Sequence, residues 1–292
     1  MKPQITIATI GHSQHGRTSL TSAITTVLAQ RHPELNTART VQELAAAPTV
    51  KHEGISMRFS QVTYESEKRA YTHVDFPTTG DFVRAVTTGA VRPDGVLLAV
   101  DASAGGDVET RESVLFAAQA GIPQAVAALT KCDLQEDAEK LELVELELRE
   151  MLSANGFPGD DLSVTRTYPQ DALNGDQSAA GSLVNLVHAL DENIAPAAPA
   201  ADKPTQRFQA TICLRAAEDA GRPVYVNARP RIGVDGREEE TLLRLPGGLD
   251  SVPAGEYADV TFEMPTAVGL RQGKRFTLRD PLGAGIVTAI LD

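Results

Sequence analysis

The chain is expected to fold as an α/β domain with a mostly parallel sheet, followed by a small all-β barrel domain. Three observations predict this. Strand-like and helix-like patterns alternate from about residue 4 to 193, as in a sheet covered by helices on both faces. The stretch DENIAPAAPAADKPTQR is then rich in alanine and proline without an amphipathic period, and reads as a semi-rigid linker. From Phe208 to the end, short alternating runs are separated by glycine and proline turns, the pattern of a barrel or sandwich. The expected boundaries are 1–193 for the first domain, 194–206 for the linker and 207–292 for the second.

Strands are expected at Ile5–Ile10, Met57–Tyr64, Ala70–Asp75, Gly95–Asp101, Ala125–Leu129 and Leu162–Arg166. The clearest helix is Asp137–Ala154, where Leu141, Val144, Leu148 and Leu152 repeat at helical spacing and Asn155-Gly156 stops the run. In the second domain the runs are FQATICL, RPVYVNA, ETLLRL, EYADVTFEM, KRFTLRD and GAGIVTAIL.

The first strand runs into Gly11-His12-Ser13-Gln14-His15-Gly16-Arg17-Thr18-Ser19. Gly11 and Gly16 have the spacing of the phosphate-loop pattern G-x-x-x-x-G-K-[ST]. There, backbone N–H groups close around an anion and the following helix adds the positive end of its dipole. A glycine-containing strand-to-helix turn is the alternative for such a motif standing alone. Arg17 occupies the lysine position; it keeps the charge but replaces a compact ammonium with a broad planar fork, so weakened nucleotide contacts are expected.

A net charge of -12, from 39 acidic and 27 basic residues, argues against DNA, other nonspecific nucleic-acid binding and a membrane surface. Cys132 and Cys213 lie far apart, a pattern of reduced thiols and not of a disulfide or zinc framework. No apolar run reaches the roughly 18 residues of a membrane span, and the N-terminus enters a strand directly, so a cytoplasmic protein is expected. The six histidines suggest no metal set, and the arginines Arg222, Arg229, Arg231 and Arg237 read by default as a solvated face.

GHSQHGRTSLTSAITTVLA resembles GHVDHGKTTLTAAITTVLA, the opening of bacterial elongation factor Tu, the GTPase that carries aminoacyl-tRNA to the ribosome. RPVYVNARPR, LPGGLDSVPAGEYADVTFEM and LRQGKRFTLRDPLGAGIVTAIL resemble the last domain of the same family. The resemblance covers nearly the whole chain. It implies a phosphate-loop GTPase domain followed by a β-barrel, with the family's middle β-barrel replaced by the linker. That middle barrel helps form the pocket for the aminoacyl end of tRNA, so its loss argues against aminoacyl-tRNA delivery.

The resemblance also implies a site. GTP or GDP would lie on residues 11–19, with Mg²⁺ held by Thr18, Ser56 in HEGISM and Asp75 in VDFPTT. Thr18 read alone is an ordinary helix-start hydroxyl, and Ser56 a strand-edge serine. Thr78 replaces the glycine that lets the family's switch flip, and Thr79 replaces the histidine that orients the attacking water, so slow hydrolysis is expected. Thr130-Lys131-Cys132-Asp133 resembles the guanine motif [NT]-K-x-D, whose carboxylate accepts from both N–H donors of the guanine edge. Thr167-Tyr168-Pro169-Gln170 takes the place of the last base-contacting loop, with Tyr168 expected at the base. Two functions follow: a guanine-nucleotide-binding protein with slow or partner-dependent GTP hydrolysis, related to translation elongation and to the ribosome; or a pseudo-GTPase that captures or competes for a translation-factor partner or inhibitor.

Overall fold

The computed structural model describes residues 2–292 except 136, 160 and 199. In the first part of the chain the strands are β1 (Gln4–Ile10), β2 (Thr49–His52), β3 (Ile55–Arg58), β4 (Ser60–Glu65), β5 (Ala70–Asp75), β6 (Gly95–Asp101), β7 (Ala125–Thr130) and β8 (Val164–Arg166). The helices are α1 (Arg17–Arg31), α2 (Val41–Ala45), α3 (Thr79–Thr88), α4 (Val108–Gln119), α5 (Ala138–Ala154), α6 (Pro169–Leu173) and α7 (Gln177–Asn193). Six strands form one sheet in the order β4-β5-β1-β6-β7-β8, parallel throughout except for β4 against β5.

Every residue of β6 and β7 is buried, because helices cover both faces and leave no side of these strands for water. On one face Ile5, Ile7, Leu97 and Val126 pack with Leu20, Ile24, Leu183 and Leu190 of α1 and α7. On the other, Ala8, Ile10, Leu98 and Val100 pack with Phe82, Val86, Val114, Leu148 and Leu152 of α3, α4 and α5. The strand order reverses at β1, whose neighbours are β5 and β6. Ligands of such sheets lie beyond the carboxyl ends of strands at this switch point.

The expected strand Met57–Tyr64 is two strands in two sheets. Ile55 and Met57 are buried in a β2–β3 hairpin, whereas Ser60, Val62 and Tyr64 are the buried set of β4. The two-residue period slips by one between Met57 and Ser60, so one straight strand could not bury both sets. The long helix forms as expected, with the Asp137 carboxylate accepting from the backbone N–H groups of Glu139 and Lys140.

The second part adds β9 (Lys203–Leu214), β10 (Val224–Tyr225), β11 (Arg231–Val234), β12 (Arg237–Glu240), β13 (Leu242–Arg244), β14 (Ser251–Val252), β15 (Tyr257–Leu270), β16 (Arg275–Arg279) and β17 (Gly283–Ile290). Seven of these form an antiparallel sheet, β12-β11-β16-β17-β9-β15-β13, that curls into a nearly closed barrel. Thr266 of β15 reaches back to Glu239 of β12 at 3.3 Å. Phe208, Phe262 and Phe276 stack and edge-pack at its centre, with ring centroids 5.2 to 5.8 Å apart.

Lys203 is already paired with Leu270, so β9 starts inside the segment 194–206 expected as linker. The residues before it run along the first domain. Ile194 is buried against Gly95, and the backbone N–H groups of Ala195 and Ala197 donate to Gln124 Oε1 at 2.5 Å and Asp94 Oδ1 at 2.8 Å. Pro199, also within the expected linker, lies outside the described residues.

The barrel packs directly on the α/β domain. Cys213, Ala284 and Ile286 of β9 and β17 belong to the same buried cluster as Phe82 and Val86 of α3. Around this apolar contact Arg275 Nε donates to the Val86 carbonyl at 2.7 Å, Gln272 Nε2 to the Ala118 carbonyl at 2.7 Å, and the Arg84 guanidinium lies 5.4 Å from the Tyr257 ring centroid. The barrel is therefore anchored to α3, the helix that follows the candidate switch residues Thr78 and Thr79.

Candidate nucleotide site

The loop after β1 is shaped by its two glycines. Gly11 has φ +120°, and a Cβ there would sit 2.3 Å from the Ala99 carbonyl oxygen of β6, so no larger residue fits. Gly16, at φ +77°, turns the chain into α1. The loop is tied down from β7: Thr130 Oγ1 donates to the His15 carbonyl at 2.7 Å, and Lys131 Nζ to the Gln14 carbonyl at 2.9 Å. Lys131 also pairs with Asp101 at 2.7 Å, and with Ser103 this charge holds the Asp101 carboxyl below its usual range against the opposing effect of burial. Ser13 and Gln14 form the exposed tip, and His15 is buried, which lowers its imidazole pKa.

Thr130, Lys131, Asp133, Gly16 and Ser19 surround one cavity of about 300 Å³, together with Leu134, Pro169 and Gln170. Asp133 is exposed, and among the described residues no side chain pairs with it. A free carboxylate beside an apolar wall is the arrangement that reads a purine edge carrying two donors. Tyr168 does not line this cavity. It is half-buried and packs into the hydrophobic clusters, while Pro169 and Gln170, one and two residues on, supply the wall. The tetrapeptide was legible in the sequence; which of its side chains faces the cavity depends on where α6 begins.

Of the expected magnesium ligands, the fold brings two together. Thr18 Oγ1 donates to Asp75 Oδ2 at 2.6 Å. Asp75 is only 5% exposed, its Oδ1 has no hydrogen-bond partner among the described residues, and burial raises its pKa against the opposing pull of Arg17, Thr18 and the Phe76 N–H. A buried carboxylate oxygen lacking a partner beside a hydroxyl is a hard-oxygen donor set suited to Mg²⁺ and its water shell, so these residues fit the ion. Ser56 does not join them. It is on the solvent face of β3, paired in register with Lys51, and no hydrogen bond links it to Thr18 or Asp75.

Arg17 is 5% exposed and turned to the end of β5, where Nη2 donates to the Pro77 carbonyl at 3.1 Å; among the described residues Nε has no hydrogen-bond partner. Burial lowers its pKa, while Asp75 and Glu109 oppose that shift. Thr78 caps α3, accepting from the Asp81 N–H at 3.1 Å, and its φ of -133° suits any residue. Thr79 Oγ1 bonds Glu109 at 3.2 Å. Glu109 and Asp107 also stand beside the loop, near His12 and Thr79, and no motif in the sequence points to them. Their signal was an acidic stretch at the start of α4, legible only once the fold sets it beside the phosphate loop.

A sheet reversing at β1, a glycine-bounded loop leading into α1, and a cavity on Thr130–Asp133 beside that loop have the arrangement of a phosphate-loop nucleotide-binding domain. The sequence profile of the elongation factor Tu GTP binding domain matches residues 2–196, well over half of the chain, which belongs to that family.

Proposed function

We propose that this chain is a guanine-nucleotide-binding protein related to translation elongation, binding GDP and GTP with Mg²⁺ and hydrolysing GTP slowly or only with a partner. The observation that carries this reading is the base cavity, where Asp133 stands unpaired beside Lys131, Ser19 and Gly16. Thr18 and Asp75 would hold the ion, which when bound neutralises charge on the phosphates. The chain's own residues would bind the base at Asp133, cradle phosphate on the N–H groups of residues 11–19, and close the switch side with Thr78 and Thr79. Asp133→Asn should weaken GDP about tenfold to a hundredfold, the loss of a hydrogen-bond pair to a charged acceptor, and favour xanthine nucleotide. Calorimetric titration with GDP, GTP and ADP, with and without Mg²⁺, tests it; equal affinity for ADP and GDP would sink the reading.

A second reading has its own support. Thr18 and Asp75 bond each other directly, and Arg17 places a cation 3.1 Å from the Pro77 carbonyl, so much of the cradle is occupied by its own side chains. On that reading the protein is a pseudo-GTPase that engages a translation-factor partner or inhibitor through an unchanging surface. Absence of GDP binding at millimolar concentration, in a folded chain, selects it. The two-domain arrangement proposed here, 1–193 and 207–292 without a middle barrel, leaves no complete pocket for aminoacyl-tRNA under either reading.

A further inference from the structure

Beside the phosphate loop, on the side away from Asp133, an open cavity of about 650 Å³ is lined by His12, Thr78, Thr79, Asp107, Glu109 and Glu112, among others. Two loop imidazoles meet the start of α4 at its edge. The rings of His12 and His15 are 5.1 Å apart at a steep angle, and the ligating atoms of His12, His15 and Asp107 all lie within 4.8 Å of one another.

Both nitrogens of each ring face an oxygen: Glu109 and Asp107 for His12, Thr110 and Asp107 for His15. His12 Nε2 is 3.1 Å from Glu109 Oε2, so it carries the hydrogen, while Nδ1 accepts from the Gln14 N–H at 3.4 Å and faces Asp107 Oδ2 at 3.6 Å. The Thr110 hydroxyl stands 3.5 Å from His15 Nδ1, and the Thr110 backbone N–H donates to Asp107 Oδ1 at 2.9 Å. His15 Nε2 faces the same Asp107 oxygen as His12 Nδ1, Oδ2, at 4.0 Å. Three potential ligand atoms converge, and an ion on His12 Nδ1 would take the place of the Gln14 N–H there.

We propose that His12 Nδ1, His15 Nε2 and Asp107 Oδ2 form a binding site for a divalent transition-metal ion, with the fourth position open to the cavity. Imidazole and carboxylate suit Zn²⁺ and its first-row neighbours, whereas Mg²⁺ takes oxygen ligands. Ligand atoms on a tetrahedral ion at about 2.0–2.1 Å stand roughly 3.4 Å apart, a closure that the half-exposed His12 and Asp107 side chains can make. The surroundings match what metal-bound histidines require: the far nitrogen of each ring is held by an oxygen, Glu109 for His12 and Thr110 for His15. Glu109 is itself fixed by Thr79. The buried thiols Cys132 and Cys213 are not part of the site.

His12 and His15 belong to the loop proposed to cradle phosphate, so the test uses the full chain, free of nucleotide and of any histidine tag. Zn²⁺ is titrated calorimetrically in excess Mg²⁺, and Co²⁺ is added separately to read imidazole ligation from its absorption spectrum. One Zn²⁺ per chain is expected. Asp107→Asn keeps the cap of α4 and should weaken Zn²⁺ at least about tenfold, as should Glu109→Gln, which removes only the outer partner of His12. Glu112→Gln, in the same cavity, should change little. The metal-free unfolding midpoint of each variant checks the fold, and Glu109→Gln serves if Asp107→Asn fails to fold. The proposal is overturned if Zn²⁺ does not bind in excess Mg²⁺, if both variants bind it like the parent, or if Glu112→Gln loses as much, which would mean a diffuse acidic field.

Discussion

The Thr18 hydroxyl donates to Asp75 Oδ2 at 2.6 Å, joining the first turn of α1 to the end of β5 across the mouth of the phosphate loop. The contact serves two purposes. It satisfies one oxygen of a carboxylate that is almost wholly buried, and it holds the two oxygen groups where an ion between phosphates would need them. Among the described residues the Oδ1 atom is buried without a hydrogen-bond partner, which fits the proposal that an ion is held here.

Thr18→Val keeps the shape of the side chain and removes the donor. Asp75 is then left with both oxygens short of a partner, which should cost about 1–3 kcal/mol. Urea unfolding of the nucleotide-free chain measures this loss. On the proposed function, the dependence of GDP affinity on Mg²⁺ should fall as well. An unchanged unfolding midpoint would show that the bond contributes nothing.

A second contact fixes the switch helix from the barrel side. Arg275 is half-buried at the domain contact, and this desolvation pulls its pKa down to about 10; it donates to the Val86 carbonyl in the last turn of α3. A cation at a helix C-terminus offsets the orphaned carbonyls and the negative end of the dipole. Arg275→Met keeps the stem and removes the donor and the charge; a loss of about 1–3 kcal/mol in urea unfolding is expected. Faster proteolysis at the segment 194–202 would show that the domain contact had loosened.

The fold was legible where one pattern served one element. The Leu141–Leu152 spacing gave α5, and the unbroken apolar runs gave β6 and β7, because both elements are buried by neighbours that demand that pattern. The failure at Met57–Tyr64 came from a phase slip inside a continuous apolar-polar alternation, which composition does not reveal. In the candidate site, Gly11, Gly16, Thr18, Asp75 and Asp133 stand out in the sequence because backbone geometry and ligand chemistry restrict such positions, and the fold gives Gly11 and Gly16 positive φ and sets Thr18 against Asp75. Ser56 and Tyr168 were placed by resemblance alone, and the local pairing of β3 and the packing of Tyr168 decided otherwise. The domain contact was not readable, since Arg275 and Val86 are 189 residues apart and meet only through the fold.

Acid should weaken the junction where the barrel begins. Asp202 accepts from Lys274 Nζ at 2.5 Å and from Arg271 at 2.5 Å, and these partners hold its carboxyl below the usual range. A depressed folded-state pKa means that the unfolded chain binds the proton more readily, so the stabilisation is present above about pH 4 and is lost as pH falls below it. Asp202→Asn should flatten that acid limb in urea midpoints measured from neutral pH downward. An identical acid limb in parent and variant would assign it to other carboxylates.

The last prediction concerns turnover. Arg17 is spent on the Pro77 carbonyl, Thr78 caps α3 through Asp81, and the Thr79 hydroxyl is bonded to Glu109, so each residue at the phosphate end of the site is held by a contact of its own. Phosphoryl transfer depends on charge placed on the phosphates and on an oriented water, and none of these three contacts supplies either. Restoring one residue should do little, because positioning groups act as a unit and their effects do not add. Thr78→Gly alone forfeits the cap for only a few tenths of a kcal/mol, as glycine itself is tolerated there. The triple change Arg17→Lys, Thr78→Gly and Thr79→His should therefore raise single-turnover GTP hydrolysis by about tenfold or more over the parent and over each single variant, the scale of one positioned proton-transfer or charge-stabilising group. Single-turnover assays with and without ribosomes check it, since a partner can be needed to bring the imidazole to the water. A parent chain that already matches the triple variant under both conditions would mean that Arg17, Thr78 and Thr79 do not limit the reaction.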